Sequence, residues 1–373
     1  MTAAGCDVAV YLYEPGDGGL DRVAILLANG FAARGLTAEL WLTRDRGPVR
    51  DLICTKAVVR TIPAPRTGRG MAMALQVPAL RTQVRTTRPK ILLSAGNQSN
   101  LAVALACRGT STAAIAKITN PIVRPGTRGV GPTSRRLRFG LTARLSRLTL
   151  ALSAADARRY GSWYPGADIA AVHNPYVTDA MLAIGRTHRA PGAVPALLSL
   201  GRLTRQKDHA TLLDAVARLR DRPWRLTIVG DGPLGGALKA QAAALGIADR
   251  VTFEGFTSDP LGYLAQADLL VLSSRWEGLP AAPIEAMACG CAVVATDCAP
   301  GLTELLAAAQ MPAPTPPRDA AALARAIAAE LDRPAAPGRL VAAAQPYTLD
   351  ASIDDHLRLM APFLEQSAAA KFG

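Results

Sequence analysis

Two carboxylates eight residues apart, Glu277 and Glu285, are the residues of this 373-residue chain best suited by type and spacing to do chemistry. A strand-like run, Leu269–Leu272, leads into the first carboxylate, and a predicted helix, Ile284–Ala288, carries the second. Free amides at a helix N-terminus attract anions, and Pro283 suits the first helical turn. The segment therefore predicts a site for a diphosphate, with a sugar or ribose hydroxyl on each carboxylate. A capping glutamate and a solvated loop glutamate are the alternative for such a pair taken alone.

Glycine and basic residues mark the ends of the predicted strands upstream. The run Leu198–Leu203 is a predicted strand that ends in glycine and arginine, and Lys207 follows at short range. Arg202 and Lys207 can converge on a phosphate pair, the arginine by its two-pronged fork and the lysine as a point charge. Two further predicted strands end at Gly230 and Gly255. Open parallel sheets bind ligands at these carboxyl ends, so the four loops predict one site.

The ordered set of strand ends between Leu198 and Leu306 resembles the retaining glycosyltransferases of family 4. The resemblance is looser earlier in the chain, at Gly18-Gly19 and at His173–Pro175. It implies an α/β fold with two Rossmann-like, doubly wound parallel-sheet domains that face each other across a cleft, the GT-B architecture. We expect an acceptor-side domain at 1–178, a nucleotide-sugar donor domain at 179–350, and a C-terminal helix at 351–373 that packs back on the first domain.

The resemblance also implies roles for these residues. Arg202, Lys207 and Glu277 would be catalytic, with the first two holding the diphosphate as its charge grows in the transition state. Glu285 would bind the ribose hydroxyls. The other donor-binding residues would be Gly18, Gly19, Gly201, Gly230, Gly255, Gly278, Leu279, Pro280 and Ala281.

The first domain departs from the family pattern at one place. Many relatives have a histidine after a mid-domain strand, whereas this chain has none before His173 and carries Lys117–Asn120 at that place. We expect Asn97, Lys117 and Asn120 to line the acceptor side and His173 to belong to the interdomain joint. No Asp-x-Asp motif stands in a suitable place, so we expect no metal site and no obligatory cofactor.

Apolar runs in the first half of the chain alternate between strand-like and helix-like segments, which predicts a mostly parallel sheet. The predicted strands are Asp7–Tyr13, Ala38–Leu42, Val58–Ile62, Lys90–Leu93, Ala113–Ile118, Thr149–Leu152 and Ile169–Val172.

The net charge of +13 is concentrated in the first half of the chain. Residues 1–190 hold 26 Lys and Arg against 10 Asp and Glu, and the stretch between Asp51 and Asp156 has 17 basic residues and no acidic one. Such a face favours an anionic partner, and anionic lipid headgroups or a lipid-pyrophosphate acceptor fit better than nucleic acid, whose binding motifs are absent. The segments Arg66–Lys90, around Met71–Leu75, and Arg124–Arg147, with its cluster of arginines, are the predicted surface; a plain connecting helix is the alternative.

Composition sets the expected compartment. No run approaches the ~20 apolar residues of a membrane span, and no secretory signal is visible. Six cysteines without a signal peptide indicate reduced cytosolic thiols, and Cys289, Cys291 and Cys298 have no zinc spacing and suit small apolar positions around a strand. We expect a cytoplasmic protein, peripheral on the inner face of the plasma membrane.

These features favour a retaining, hexosyl-type glycosyltransferase that moves a sugar from a nucleotide-diphosphate sugar, UDP-linked, to a lipid-linked or surface-glycan acceptor. Its partners would be that donor, that acceptor and an anionic membrane surface, with no nucleic acid. The alternatives are a GT-B nucleotide-sugar epimerase or phosphorylase, and a non-catalytic basic module that binds membrane or nucleic acid.

Overall fold

The computed structural model describes residues 5–16, 18–65, 69–123, 127, 130–187, 192, 194–257 and 259–369, with the backbone alone at 69–70 and 366–369. Arg66 and Arg124, which begin the two predicted basic segments, lie outside the described residues. The chain divides into two compact units: unit 1 is Met1–Pro175 with Leu349–Gly373, and unit 2 is Tyr176–Thr348.

Unit 1 is built on a parallel sheet of seven strands in the order β3-β2-β1-β4-β5-β6-β7. Most of these strands are apolar and buried along their whole length, as strands covered by helices on both faces must be. All seven predicted strands are confirmed to within one or two residues at each end. Their bounds are β1 Val8–Leu12, β2 Ala38–Leu42, β3 Val58–Thr61, β4 Ile91–Ser94, β5 Ala113–Lys117, β6 Leu148–Ala151 and β7 Ile169–Ala171.

Six helices connect these strands in the described part of unit 1: α1 Gly19–Ala33, α2 Arg69–Leu75, α3 Val77–Thr87, α4 Asn100–Cys107, α5 Val130–Leu145 and α6 Ala154–Trp163. The helical segment after β3 breaks at Gln76, between α2 and α3, and Pro78 lies in the first turn of α3. Gln76 is fully buried, accepts a hydrogen bond of 2.6 Å from the Tyr11 hydroxyl and donates one of 2.7 Å to the Ile62 carbonyl. This amide therefore fixes the break by satisfying two polar groups in the core.

Unit 2 holds a parallel sheet of five strands in the order β10-β9-β8-β11-β12. The strands are β8 Ala196–Leu200, β9 Arg225–Val229, β10 Val251–Gly255, β11 Leu269–Leu272 and β12 Ala292–Ala295. The helices are α7 Asp179–Arg186, α8 His209–Ala217, α9 Gly235–Ala244, α10 Leu261–Gln266, α11 Ala281–Ala288, α12 Pro300–Ala308, α13 Ala320–Asp332 and α14 Pro337–Ala344. This is the predicted second βα series.

The last helix, α15 (Leu349–Ala369), belongs to unit 1 although it follows unit 2 in the chain. It packs on α1, where Ile353 lies so close to Gly30 that a Cβ there would be 2.4 Å from its Cδ1. Arg34 forms ion pairs with Asp350 and Asp354.

Buried polar groups also join α15 to the sheet of unit 1. Lys117 Nζ, at the end of β5, lies 2.8 Å from His356 Nε2, and both residues are buried. The Ser352 hydroxyl donates to the His173 carbonyl at 2.7 Å, and the imidazole of His173 lies 3.3 Å from Asp355. The Lys117–His356 and Ser352–His173 bonds are specific in a way that apolar packing is not, because losing either leaves a buried polar group unpaired.

Cys289, Cys291 and Cys298 pack in the core beside β12, as predicted. Burial raises the pKa of the Cys289 and Cys298 thiols to about 12, so they stay protonated at neutral pH. No helix among the described residues is long and apolar enough to cross a membrane.

Candidate functional site

The site lies at the carboxyl edge of the sheet of unit 2, where the strand order reverses. β8 has β9 on one side and β11 on the other, so the chain leaves these neighbouring strands in opposite directions. In open parallel sheets this reversal opens a crevice beyond the strand ends that binds ligands. The loops after β8 and β11 hold Lys207 and Glu277, which sequence analysis had assigned to one site.

Glycines allow the ends of β8, β9 and β10 to lie close together. Gly201 and Gly230 have φ angles of +149° and +143°, a region that favours glycine. A Cβ at Gly230 would lie 2.1 Å from the Gly201 carbonyl oxygen, and one at Gly201 would lie 2.9 Å from Lys207 Cε. The Gly230 amide donates to the Gly255 carbonyl at 2.7 Å. Three of the predicted glycines therefore stand side by side, and the stem of Lys207 runs over the first.

An ion pair between Lys207 and Glu277 forms the centre of the site, with Nζ 2.9 Å from Oε1. The Ser274 hydroxyl donates to the same oxygen at 2.9 Å, and the Gln206 amide donates to Oε2 at 3.3 Å. Glu277 is only 9% exposed and Ser274 is fully buried. The carboxylate is thus held in one orientation as a charged acceptor.

The loops after β8 and β11 are bonded to each other along their length. The Ser273 hydroxyl donates to the Lys207 carbonyl at 2.9 Å, and the Arg275 amide donates to the Gln206 carbonyl at 2.7 Å. The Arg275 guanidinium also pairs with Asp208 at 2.8 Å. Asp208 is buried and has φ +52°, an uncommon conformation for a residue with a side chain. These bonds hold that conformation and fix Lys207 relative to Glu277.

Arg202 precedes Lys207 in the chain and His209 follows it. Arg202 is exposed, and its guanidinium forms no ion pair with the residues that the structure describes. His209 is buried at the start of α8, and burial, with the nearby Lys207 charge, lowers its pKa to about 4. His209 is therefore neutral at physiological pH, and Arg202 is the cation that can approach a ligand from solvent.

Helix α11 presents its N-terminus beside Glu277. It begins after Pro280, and its first amides have no acceptor within the helix, which leaves them available to an anion. Leu279 and Pro280 are buried, while Gly278 and Ala281 are partly exposed. Glu285 lies further along the helix and is also partly exposed.

The first-domain residues expected at the site lie in unit 1. Gly18 caps α1 and Gly19 is its first residue, directly beyond β1. β1 and β4 are neighbours at the strand reversal of this sheet, and Gly96 follows β4. A Cβ at Gly96 would lie 2.6 Å from Leu20 Cδ1, so the loop after β4 meets the first turn of α1.

The predicted acceptor-side residues differ in exposure. The Asn97 amide donates to the Asn120 carbonyl at 2.8 Å, and its oxygen accepts from the Thr119 amide at 2.8 Å, so Asn97 joins the loops after β4 and β5. Asn120 is exposed. Lys117 is 1% exposed and bonded to His356, so its amine lies inside unit 1.

Sequence reasoning missed the residues that position Glu277. Ser274 stands three residues before Glu277, where a short side chain that reaches back is a weak but available signal. Asp208 and Arg275 carried no signal, because their pairing depends on two loops that meet only in the folded sheet. Among the described residues no group of three or more His, Cys, Asp or Glu side chains could hold a metal ion.

Comparison with known proteins bears on this site. The family model of the glycosyl transferases group 1 matches residues 194–333. A Campylobacter jejuni N-acetylgalactosamine-N,N'-diacetylbacillosaminyl-diphospho-undecaprenol 4-alpha-N-acetylgalactosaminyltransferase is 39% identical over 109 residues, 29% of this chain and 30% of that protein. The lipopolysaccharide 1,6-galactosyltransferase of Salmonella typhimurium is 33% identical over 145 residues, 37% of this chain and 39% of that protein.

The chain is also similar in structure to solved proteins along nearly its whole length. Anabaena HepE, in complex with UDP and glucose, matches with a TM-score of 0.74 at 19% identity, covering 95% of this chain and 99% of that one. The two parallel-sheet units and this likeness confirm the predicted two-domain, Rossmann-like GT-B fold. The sequence alignments, in contrast, span well under half the length of the two curated relatives.

Proposed function

Residues 194–333 match the family model of the glycosyl transferases group 1, and from that premise we propose that the chain is a retaining glycosyltransferase. It transfers a hexose-type sugar from a UDP-linked donor to a lipid-linked or surface-glycan acceptor. The observation that carries this proposal is the Lys207–Glu277 pair at the strand reversal of unit 2, beside the N-terminus of α11. A cation, a fixed carboxylate and free helix amides at one sheet edge suit a sugar diphosphate.

The chemistry begins with the bond between the anomeric carbon and the β-phosphate oxygen. As this bond breaks, its electrons stay on the diphosphate and positive charge grows on the sugar. Arg202, Lys207 and the first amides of α11 stabilise the leaving charge, because donors fixed in advance need no reorganisation at the moment of reaction. The acceptor hydroxyl then bonds the anomeric carbon on the face that the diphosphate left, and its proton passes to the departing diphosphate oxygen.

Glu277 and Glu285 bind opposite ends of the donor in this proposal. Glu277 has one oxygen saturated by Lys207 and Ser274, and from the described residues its Oε2 accepts only the longer bond from Gln206, so that oxygen can accept a sugar hydroxyl. Glu285, partly exposed on α11, accepts the ribose hydroxyls. No metal or other cofactor is required, because side chains and amides supply the positive charge.

The substrate classes are supported by relatives and remain part of the proposal. The Campylobacter relative is named for a diphospho-undecaprenol substrate and the Salmonella one for lipopolysaccharide, which favours a lipid-linked or envelope-glycan acceptor. HepE was solved with UDP, which favours that nucleotide. An acceptor of this kind places the protein at the cytoplasmic face of the membrane.

The direct test has two steps. Thermal shift against UDP, GDP and ADP should show the largest stabilisation with UDP, since a ligand that binds only the folded state raises the melting temperature. Incubation with UDP-sugars and a lipid-linked acceptor analogue should then give a glycoside with the donor's anomeric configuration by NMR, with chelator having little effect. An inverted product would refute retention, loss of activity in chelator would refute the metal-free proposal, and epimerised donor without acceptor would refute transfer.

A further inference from the structure

The first half of helix α5 projects from unit 1. Every residue from Val130 to Arg138 is exposed except Pro132, which is partly buried. The second half is anchored, with Phe139, Gly140, Thr142 and Ala143 buried. A helix that is solvated around most of its circumference ordinarily carries polar residues there. This one does not.

Three large apolar side chains form a ridge on the exposed side of α5. Val130 is 84% exposed, Leu137 70% and Leu141 47%. They are seven and four residues apart, which places them on one face of the helix. Arg138 and Arg144 stand three residues before and after Leu141 and so border this ridge. We call these three apolar side chains, together with the flanking Arg138 and Arg144, the α5 ridge.

The α5 ridge rests on a rigid support. Phe139 packs against Tyr160 and Tyr164 of the α6 region, with ring centroids 5.5 and 5.0 Å apart. The Arg136 guanidinium lies over the Trp163 ring, 4.3 Å from its centroid. The helix therefore presents the ridge in a fixed orientation and needs no ordering when a partner binds.

The sequence that contains the ridge carries charge of one sign over a long stretch. The stretch from Leu52 to Ala155, which includes all of α5, contains no acidic residue. Arg135 and Arg144 are exposed and form no ion pair with other described residues. The arginines are therefore free to meet an anionic surface, to which basic side chains near a membrane are attracted.

We propose that the α5 ridge docks on an anionic phospholipid bilayer, with Val130, Leu137 and Leu141 entering the interfacial region and the flanking arginines meeting the headgroups. An amphipathic helix lying in the bilayer interface has this composition, apolar on one face and basic beside it. A nucleic acid would use the charge but would leave the apolar ridge in water. The docking adds to the proposed function and rests on it only in that a lipid-linked acceptor resides in a membrane.

The test is co-sedimentation of the full chain with vesicles, in the absence of donor and acceptor. Binding should be stronger to phosphatidylcholine mixed with phosphatidylglycerol than to phosphatidylcholine alone, and should fall as salt rises. Leu137→Ser with Leu141→Ser should weaken binding to anionic vesicles at least about tenfold, from the apolar area lost. Arg135→Glu with Arg144→Glu should weaken it to a similar degree and remove most of the salt dependence.

Matched controls separate docking from folding and from activity. Val194→Ser removes an apolar side chain of comparable exposure, 48%, from unit 2 and should leave vesicle binding unchanged. Arg136 and Arg138 are avoided because the first stacks on Trp163 and the second donates to the Gln98 carbonyl at 2.8 Å. Nucleotide thermal shift should be normal in every variant; vesicle binding without nucleotide binding would refute the proposed function and leave the docking intact.

Three outcomes would overturn the proposal. One is equal binding to neutral and anionic vesicles, or binding to neither. Another is unchanged vesicle binding by both α5 variants. This includes the case in which the double variant Met71→Ser with Leu75→Ser, on α2, abolishes vesicle binding instead. The third is evidence for a different partner. The protein would then bind duplex DNA more tightly than anionic vesicles, or it would form an oligomer that only the Leu137→Ser with Leu141→Ser variant dissociates.

Discussion

At the scale of single residues, Lys207 and Arg202 differ in what else depends on them. Lys207 neutralises Glu277, a carboxylate with an 11% exposed side chain, whereas Arg202 is exposed and unpaired among the described residues. Sequence analysis predicted both residues as diphosphate ligands and could not distinguish their roles. The Lys207–Glu277 ion pair has no local signal, because it joins two loops that are 70 residues apart in the sequence. Beside its proposed role as a diphosphate ligand, the lysine therefore also neutralises a carboxylate in the structure.

This difference predicts different phenotypes for the two alanine variants. Arg202→Ala should keep the wild-type melting temperature and lower kcat more than it raises the donor KM, because leaving-group charge grows toward the transition state. Lys207→Ala should show the same kinetic loss and also lose about 1–3 kcal/mol of unfolding free energy, since it leaves the buried Glu277 carboxylate without its counter-charge. Denaturant unfolding and steady-state kinetics check both. Equal stability of the two variants would contradict the structural role of Lys207, and normal turnover of both at saturating donor would refute the diphosphate clamp.

Glu285→Ala tests the ribose end of the donor site. A carboxylate that binds ribose hydroxyls should contribute about 1.5–3 kcal/mol, the range for hydrogen bonds to charged groups. Calorimetric titration with UDP should therefore show affinity reduced by one to two orders of magnitude, about tenfold per 1.4 kcal/mol. Asp221→Ala, which removes an exposed carboxylate elsewhere in unit 2, is the control and should bind UDP normally. Unchanged affinity in folded Glu285→Ala would refute the assignment.

At the scale of elements, apolar runs predicted the strands and strand ends predicted the site. Val8–Leu12 and Leu269–Leu272 are found where they were predicted because a strand covered on both faces must be apolar throughout. The exposure of Leu137 was not predictable, since a leucine beside buried Phe139 has the periodicity of an ordinary core helix. Which half of α5 is covered depends on the aromatic cluster of α6, and that contact has no local sequence signal.

Substitution of Gly230, which follows β9, tests the site at the scale of elements. Gly230→Ala should destabilise unit 2 by about 2 kcal/mol or more, because its Cβ would meet the Gly201 carbonyl and its φ disfavours a side chain. It should also lower donor affinity by displacing the loop that carries Arg202. Gly236→Ala is the matched control: nothing lies within 4 Å of its Cβ in α9, and it should stabilise by about 0.5–1 kcal/mol. Thermal unfolding compares them, and similar melting temperatures would contradict the close approach.

At the scale of the whole molecule, the Lys117–His356 contact makes the stability of unit 1 depend on pH. Burial lowers the pKa of Lys117 from its ordinary value of 10.5 to about 7, and that of His356 falls well below 6.5 because of burial and the Lys117 charge. Between pH 7 and about 10.4 the unfolded chain holds a proton on this lysine that the folded chain lacks. The unfolding free energy contributed by this group therefore rises with pH across that window.

Lys117→Met should remove this dependence. Unfolding by denaturant at steps from pH 7 to 10 gives the free energies of wild type and variant. Their difference cancels the other titrating groups, and it should shift in favour of wild type as pH rises. A constant difference across the window would contradict a lysine buried with a lowered pKa, whatever the variant's overall stability.

Unit 1 is completed by residues that the ribosome makes after unit 2. Leu349–Gly373 follow the whole of unit 2, so during translation unit 2 has all of its residues before unit 1 does. Until α15 emerges, Lys117 and the His173 carbonyl lack His356 and Ser352 as partners. Domains that are contiguous in sequence fold in the order of synthesis, N-terminal first. In this chain the order of completion is reversed, and the nascent first unit stays open for the time it takes to translate the second.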